Sequence, residues 1–249
     1  MELTLETIRA AHARIAPYIV QTPLLRLPAL DDALGCEVYA KAECMQRTGA
    51  FKLRGAMNKI LALTEDERAR GFVAASSGNH GRAVAYAAQR FGTHACIVMP
   101  ETAPAVKQAA IRGVATAVKA LAPHVRVYGA EPEVLPRYRE SLRAGHPVQV
   151  EQQRSVADAL VAQKPGDVCF PYVAANTDGF APVADDDILR CMKLLLLEGK
   201  LLCEPSSAIG MGAALRGQLP LRRTDKVCFV ISGGNVALEQ LHRLEDVRL

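Results

Sequence analysis

The sequence predicts an α/β fold in which parallel strands lie in sheets flanked by helices. Residues 71–75 read as a buried strand that runs into Ser76-Ser77-Gly78-Asn79-His80-Gly81, then into an Ala-rich helix that Gly92 can close, then into a strand over 95–99 stopped by Pro100. Strand, small-residue turn, helix, strand is the pattern of a parallel layer. Far along the chain, residues 226–231 read as another buried strand, again ending in a small-residue turn, Ser232-Gly233-Gly234-Asn235.

The remaining elements follow in order. Leu5, Ile8, Ala11 and Ile15 have helical spacing, and Pro17 and Pro23 end that helix. Residues 37–41 read as a strand after the turn at Gly35, and a helix follows Thr48-Gly49 through Ala56, Ile60 and Leu63. A helix over 114–121 leads to a strand over 125–128. Asp185-Asp186-Asp187 precede the apolar run 188–197, where acidic residues in a first turn suit the helix dipole. No internal repeat is visible.

Composition narrows the function classes. Of 249 residues 50% are hydrophobic and 22% charged, as in ordinary globular proteins, and with no Trp the core must be aliphatic. The net charge of +4 is spread along the chain without the basic stripe of a nucleic-acid surface. The seven cysteines form no C-x-x-C pair, which predicts buried, reduced thiols. An acidic and polar N-terminus shows no signal peptide, and no apolar run reaches the length of a membrane span, so a cytoplasmic protein is expected. No regulatory module is expected beyond Leu249.

Three motifs carry chemistry. In Thr48-Gly49-Ala50-Phe51-Lys52-Leu53-Arg54-Gly55-Ala56, a lysine stands at the mouth of a helix between apolar neighbours. The helix dipole and desolvation both disfavour its ammonium form, and a neutral amine is what Schiff-base chemistry requires. In the 76–81 turn, backbone N–H groups at a helix start can face an anion. Ser232, at the carboxyl end of a strand, can offer a neutral hydroxyl to a heteroaromatic nitrogen. Singly, each also fits a bland reading: a surface lysine or a tight turn.

Together and in this order, the motifs resemble those of the threonine/serine dehydratase and serine racemase family of fold-type II pyridoxal-phosphate (PLP) enzymes, whose architecture is tryptophan synthase β-like. The likeness continues through Thr22-Pro23-Leu24, Lys41-Ala42-Glu43, Val98-Met99-Pro100, Gly129-Ala130-Glu131-Pro132 and Glu204-Pro205-Ser206. It implies a large domain from residues 1–46 and 113–249 and a small domain from 47–112. It makes Lys52 the Schiff-base lysine and base at the substrate Cα, with Phe51 packed near the cofactor. Asn79 would bond the phenolic oxygen, and Ser232 would face the pyridine nitrogen. Ser76, Ser77, Asn79 and His80 would grip the substrate carboxylate, and Ser77 falls where racemases place a second acid–base group. The implied reaction is dehydration and deamination of L-threonine or L-serine to a 2-oxo acid and ammonia. Serine racemase and hydroxyaspartate dehydratase activities are the chemical neighbours, and a catalytically inactive remnant is the rival from another class. The resemblance also implies a homodimer. It places a divalent-cation ligand at Glu131, but the partner position six residues on holds Arg137, and a guanidinium does not ligate cations. Glu204 reads either as a neighbour of the cofactor ring or as a support of the large domain.

One part of the pattern is missing. The family's glycine-rich loop for the cofactor phosphate has no counterpart here. Lys107-Gln108-Ala109-Ala110-Ile111-Arg112 resembles a small-domain segment, Gly113 onward resembles the helix after the loop, and the two are joined directly. Either the chain is a shortened product with a curtailed small domain, or the sequence joins two pieces of a longer one. Arg112 is a candidate substitute for the lost phosphate contacts.

Overall fold

The computed structural model describes residues 3–76, 78–98 and 109–249. Helix α1 (Leu5–Ile15) starts at a Thr4–Thr7 capping box, where side-chain oxygens satisfy backbone N–H groups that a helix start leaves open. Strand β1 (Leu24–Arg26) and the short helix α2 (Asp31–Leu34) lead into β2 (Glu37–Lys41). Helices α3 (Lys52–Leu61) and α4 (Glu65–Ala69) precede β3 (Phe72–Ala75), α5 (Asn79–Arg90) and β4 (Ala95–Val98). Gly92 follows α5 with φ of +63°, the left-handed closure the sequence predicts. Next come α6 (Ala109–Leu121), β5 (Tyr128–Pro132), α7 (Arg137–Ala144), α8 (Phe170–Asn176) and β6 (Gly179–Val183). Helices α9 (Asp185–Leu197) and α10 (Pro205–Leu215), strand β7 (Lys226–Val230) and α11 (Leu238–His242) complete the described elements.

Parallel pairing dominates, as expected. β2 pairs with β7, β3 with β4 and β5 with β6, all parallel, while β1 adds to β2 antiparallel. The register Ala40↔Phe229 and Lys41↔Val230 brings the ends of β2 and β7 level. The turns that leave both strands therefore emerge side by side.

The largest core cluster fills the space between the β2–β7 sheet and the helices α9 and α10, with Val38, Ala40, Met192, Leu195, Met211 and Ile231 at its centre. A second cluster joins Ile15 and Ile19 to Leu53, Met57 and Ile60 of α3, to α5 and to Ala74. Helix α10 is buried along most of its length, and its small residues permit this: a Cβ added at Gly212 would meet Val183 Cγ1 at 2.7 Å.

Four sequence expectations need correction. The strand predicted at 125–128 begins only at Tyr128, because the Asp178 carboxylate takes the Val127 N–H at 2.7 Å and Val125 closes a turn onto Ala122. β3 is not fully buried: Ala74 faces α3 and α5, but Val73 is 78% exposed because the outer face of this two-stranded sheet carries no covering layer among the described residues. β7 is an edge strand with alternating burial, so Phe229 faces the core while Lys226, Cys228 and Val230 face out. The cysteines divide accordingly. All seven are free, with Cys36, Cys191 and Cys203 buried, but Cys96 and Cys228 exposed. Met99 and Pro100, predicted to end β4, lie outside the described residues. Among the described residues, no helix is long and apolar enough to cross a membrane.

A buried ion pair fixes the approach of α3. Glu43, 5% exposed, accepts from Arg54 Nε and an Arg54 terminal nitrogen, each at 2.8 Å, and from the Thr22 hydroxyl at 2.6 Å. Burial alone would raise this carboxyl, but the bonds from Arg54 and Thr22 outweigh it and hold the group below the usual range. Its stabilising contribution is therefore full above the ordinary glutamate pKa and is lost as pH falls through the lower folded value. Glu43→Gln should cost about 3 kcal/mol at neutral pH, the scale for breaking a buried pair. Its stability should also fall less steeply in acid than wild type, as read by chemical unfolding across pH.

Candidate active site

Two segments far apart in sequence close on each other at the carboxyl ends of β2 and β7. The Phe51 N–H donates to the Ser232 carbonyl at 2.9 Å, and the Gly234 N–H donates to the Gly49 carbonyl at 2.8 Å. Ala50 and Gly233 form an isolated antiparallel bridge. The approach demands glycine. Gly49 has φ of +73°, and a Cβ there would lie 2.5 Å from Asn235 Oδ1. At Gly233 an added Cβ would meet the Glu204 carboxyl carbon at 2.8 Å. Lys52 is thereby held in the first turn of α3, with its amine 6.0 Å from the Phe51 ring centroid.

The third motif joins through side chains. Asn79, in the first turn of α5 and 7% exposed, donates from Nδ2 to both Glu204 oxygens, at 2.8 and 3.0 Å. Its Oδ1 accepts from Asn235 Nδ2 at 2.8 Å, and the same Asn235 nitrogen donates to the Thr48 carbonyl at 2.8 Å. One network therefore links the 48–52 turn, the start of α5, the start of α10 and the turn after β7. His80 lies next to it and is half-buried. Desolvation lowers its pKa first, and the Lys52 charge lowers it further, so the imidazole is neutral near neutral pH.

Sequence-predicted residues Phe51, Lys52, Asn79, His80 and Ser232 thus meet in one region, and Ser76 flanks them, its hydroxyl accepting from the Gly78 N–H at 3.3 Å. Ser77 lies outside the described residues, as does the Arg112 side chain. Sequence reasoning gave no role to Asn235 or Ser207 and left Glu204 undecided. The structure puts Glu204 on Asn79, and Ser207 Oγ 2.9 Å from Ser232 Oγ. The signal for this was the Glu204-Pro205 start of an apolar helix, since Pro favours the first helical position.

Glu131 lies apart from this region. It is fully buried, and its carboxylate accepts the N–H groups of Tyr138 and Arg139 at 2.9 and 3.0 Å. Burial raises its pKa despite those bonds and the neighbouring Arg137 charge. Arg137 is buried too and donates to the Leu160 carbonyl at 2.5 Å, so a fixed cation already stands beside the carboxylate. Among the described residues, no group of three or more His, Cys, Asp or Glu side chains could hold a metal ion.

The donor set fits a pyridoxal group at its ring end. It offers an amine at a helix start and a neutral hydroxyl pair at a strand end, while Glu204 holds the Asn79 amide protons. The Thr48 hydroxyl, buried in the same turn, has no hydrogen-bond partner among the described residues.

Comparison with known proteins defines the class. The profile of the family described as "Pyridoxal-phosphate dependent enzyme" matches residues 15–113 and 109–233, and the chain belongs to that family. It is 32% identical to the L-threonine ammonia-lyase of Thermotoga maritima, over 97% of this chain and 78% of the relative. It is 29% identical to the L-threo-3-hydroxyaspartate ammonia-lyase of Saccharomyces cerevisiae, over 92% of each chain. The solved structure of maize serine racemase superposes with a TM-score of 0.90 at 30% identity, over 98% of this chain and 97% of that one. The fold is therefore the fold-type II PLP architecture. The two profile segments meet at 109–113, where the sequence joins its two family-like pieces, and the Thermotoga alignment runs over 314 positions although this chain has 249 residues.

Two outcomes follow from the geometry. Gly49→Ala should lose about 2 kcal/mol in urea unfolding, since it combines a left-handed backbone with a clash at Asn235. Magnesium or calcium should leave the melting temperature unchanged; a cation-dependent rise would show that Arg137 does not displace the ion.

Proposed function

We propose that this chain is a PLP-dependent ammonia-lyase that converts L-threonine or L-serine to a 2-oxo acid and ammonia. The observation that carries the reading is the meeting of Lys52, Asn79 and Ser232 at the carboxyl ends of β2 and β7, tied by Asn235. The names of the ammonia-lyase and racemase relatives support it. When bound, PLP supplies an aldehyde for amine exchange and a ring that draws electrons from Cα.

The protein's own residues have separate tasks in this reading. Lys52 would hold the cofactor aldehyde and accept the Cα proton at Nζ. Its place at the positive end of α3 favours the neutral amine this needs. The substrate carboxylate would lie at the start of α5, where Ser76, Ser77 and His80 would supply donors and Asn79 its backbone N–H. A neutral His80 can donate one hydrogen bond there from its protonated ring nitrogen. Phe51 would pack against the cofactor, and Ser232 would face the ring nitrogen. Its hydroxyl would hold that nitrogen less firmly protonated than a carboxylate would, which would favour loss of a β-hydroxyl.

The large domain of residues 1–46 and 113–249 and the small domain of 47–112 remain our division. The separate core clusters support it, although Ile15 and Ile19 pack with the middle segment. A homodimer would cover the exposed Val73 and Val98 side chains. Seven free cysteines accord with a cytoplasmic location.

Absorption spectroscopy with added PLP tests the assignment. Wild type should develop a near-visible band that Lys52→Ala lacks, and should release 2-oxo acid from L-threonine and L-serine. A folded protein with no band in either form would sink the enzyme reading and leave an inactive remnant that lacks its phosphate loop. D-serine formed faster than 2-oxo acid would instead assign the racemase activity.

A further inference from the structure

Where α10 begins and β7 ends, Ser207 Oγ and Ser232 Oγ lie 2.9 Å apart. Ser207 is 6% exposed, and its oxygen also accepts the Gly233 N–H at 2.9 Å. A hydroxyl has one proton to donate, so the direction of this short chain matters. Run forward, Gly233 N–H donates to Ser207, Ser207 donates to Ser232, and the Ser232 proton is left for an outside acceptor. Run backward, Ser207 receives both the Gly233 N–H and the Ser232 O–H. Its own proton then has no acceptor among the described residues. Leaving a buried donor unmet is the costlier arrangement, and aligned hydrogen bonds strengthen one another.

We propose that Ser207 is a positioning residue that fixes Ser232 as a hydrogen-bond donor and so keeps the pyridine nitrogen of bound PLP unprotonated. This rests on the reading that the cofactor binds with its ring nitrogen at Ser232. An unprotonated nitrogen accepts the Ser232 proton and satisfies the forward chain. A protonated one must donate to Ser232 and reverses it.

The charged and titratable groups around the pair are Glu204 at the start of α10, Asp158 against Ser206, Lys52 at the start of α3, and Cys44 after β2. Glu204 and Asp158 are the groups whose charge would favour a protonated ring. Asn79 engages both Glu204 oxygens, which turns that charge towards α5, and the Ser206 hydroxyl stands against Asp158 at 3.4 Å.

The test uses the full chain loaded with ring-15N pyridoxal phosphate and follows the nitrogen resonance by NMR across pH. Wild type should show an unprotonated nitrogen at neutral pH. In Ser207→Ala, the midpoint of ring protonation should rise by about one pH unit, the equivalent of one net hydrogen bond. Ser207→Cys keeps a weaker donor and should titrate between the two. It carries the comparison if the alanine variant does not fold. A protonated nitrogen in wild type at neutral pH, or variants that bind the cofactor and titrate like wild type, would overturn the role of Ser207. No bound resonance in any folded form would overturn the cofactor reading itself, and the proposal with it.

Discussion

The clasp between residues 48–52 and 232–235 is the contact on which the site depends. Its two backbone hydrogen bonds, Phe51 to Ser232 and Gly234 to Gly49, join chain segments more than half the sequence apart. Closing so long a loop has an entropic cost that local structure cannot offset. The β2–β7 ladder meets that cost by bringing the two strand ends level before the turns begin. Glycines then leave room for the Asn235 and Glu204 side chains, whose ends an added Cβ at Gly49 and Gly233 would meet.

Polar groups at this junction are satisfied in series. Asn235 spends its two amide protons on Thr48 and Asn79, and Asn79 gives its own to Glu204. Such a network in a region of low dielectric is stable only when each member is paired, because an unpaired buried group costs more than a paired one gains. The arrangement fixes the helix starts of α5 and α10 relative to the lysine turn. It therefore positions Lys52, Asn79 and Ser232 relative to one another.

The buried Arg137 illustrates a different solution. A carboxylate as deeply buried as Glu131 needs donors or a cation. Here it has two backbone N–H groups at the start of α7 and a guanidinium nearby. Arg137 in turn spends one terminal N–H on Leu160, which ties α7 to the loop before α8.

Lys52, Asn79 and Ser232 stood out in the sequence because three motifs, each where a strand or loop gives way to a helix or turn, together resemble those of one family. The strand 37–41 was equally legible, being a short β-prone run between turn residues. β1, β6 and α10 were not. β1 has only three residues, β6 carries a proline, and α10 is apolar all round, so none shows a period of its own. Burial of β3 and β7 was overestimated because an apolar run does not reveal whether a second layer covers its outer face. By itself the sequence determined the parallel α/β class and the three motifs, since these reside in local spacing and residue order. Only the tertiary structure decided that Glu204 and Asn235 bind Asn79, that Ser207 stands against Ser232, and that Arg137 lies beside Glu131. Those pairings join residues on different elements, and side-chain distance between elements is set by packing rather than by any local pattern.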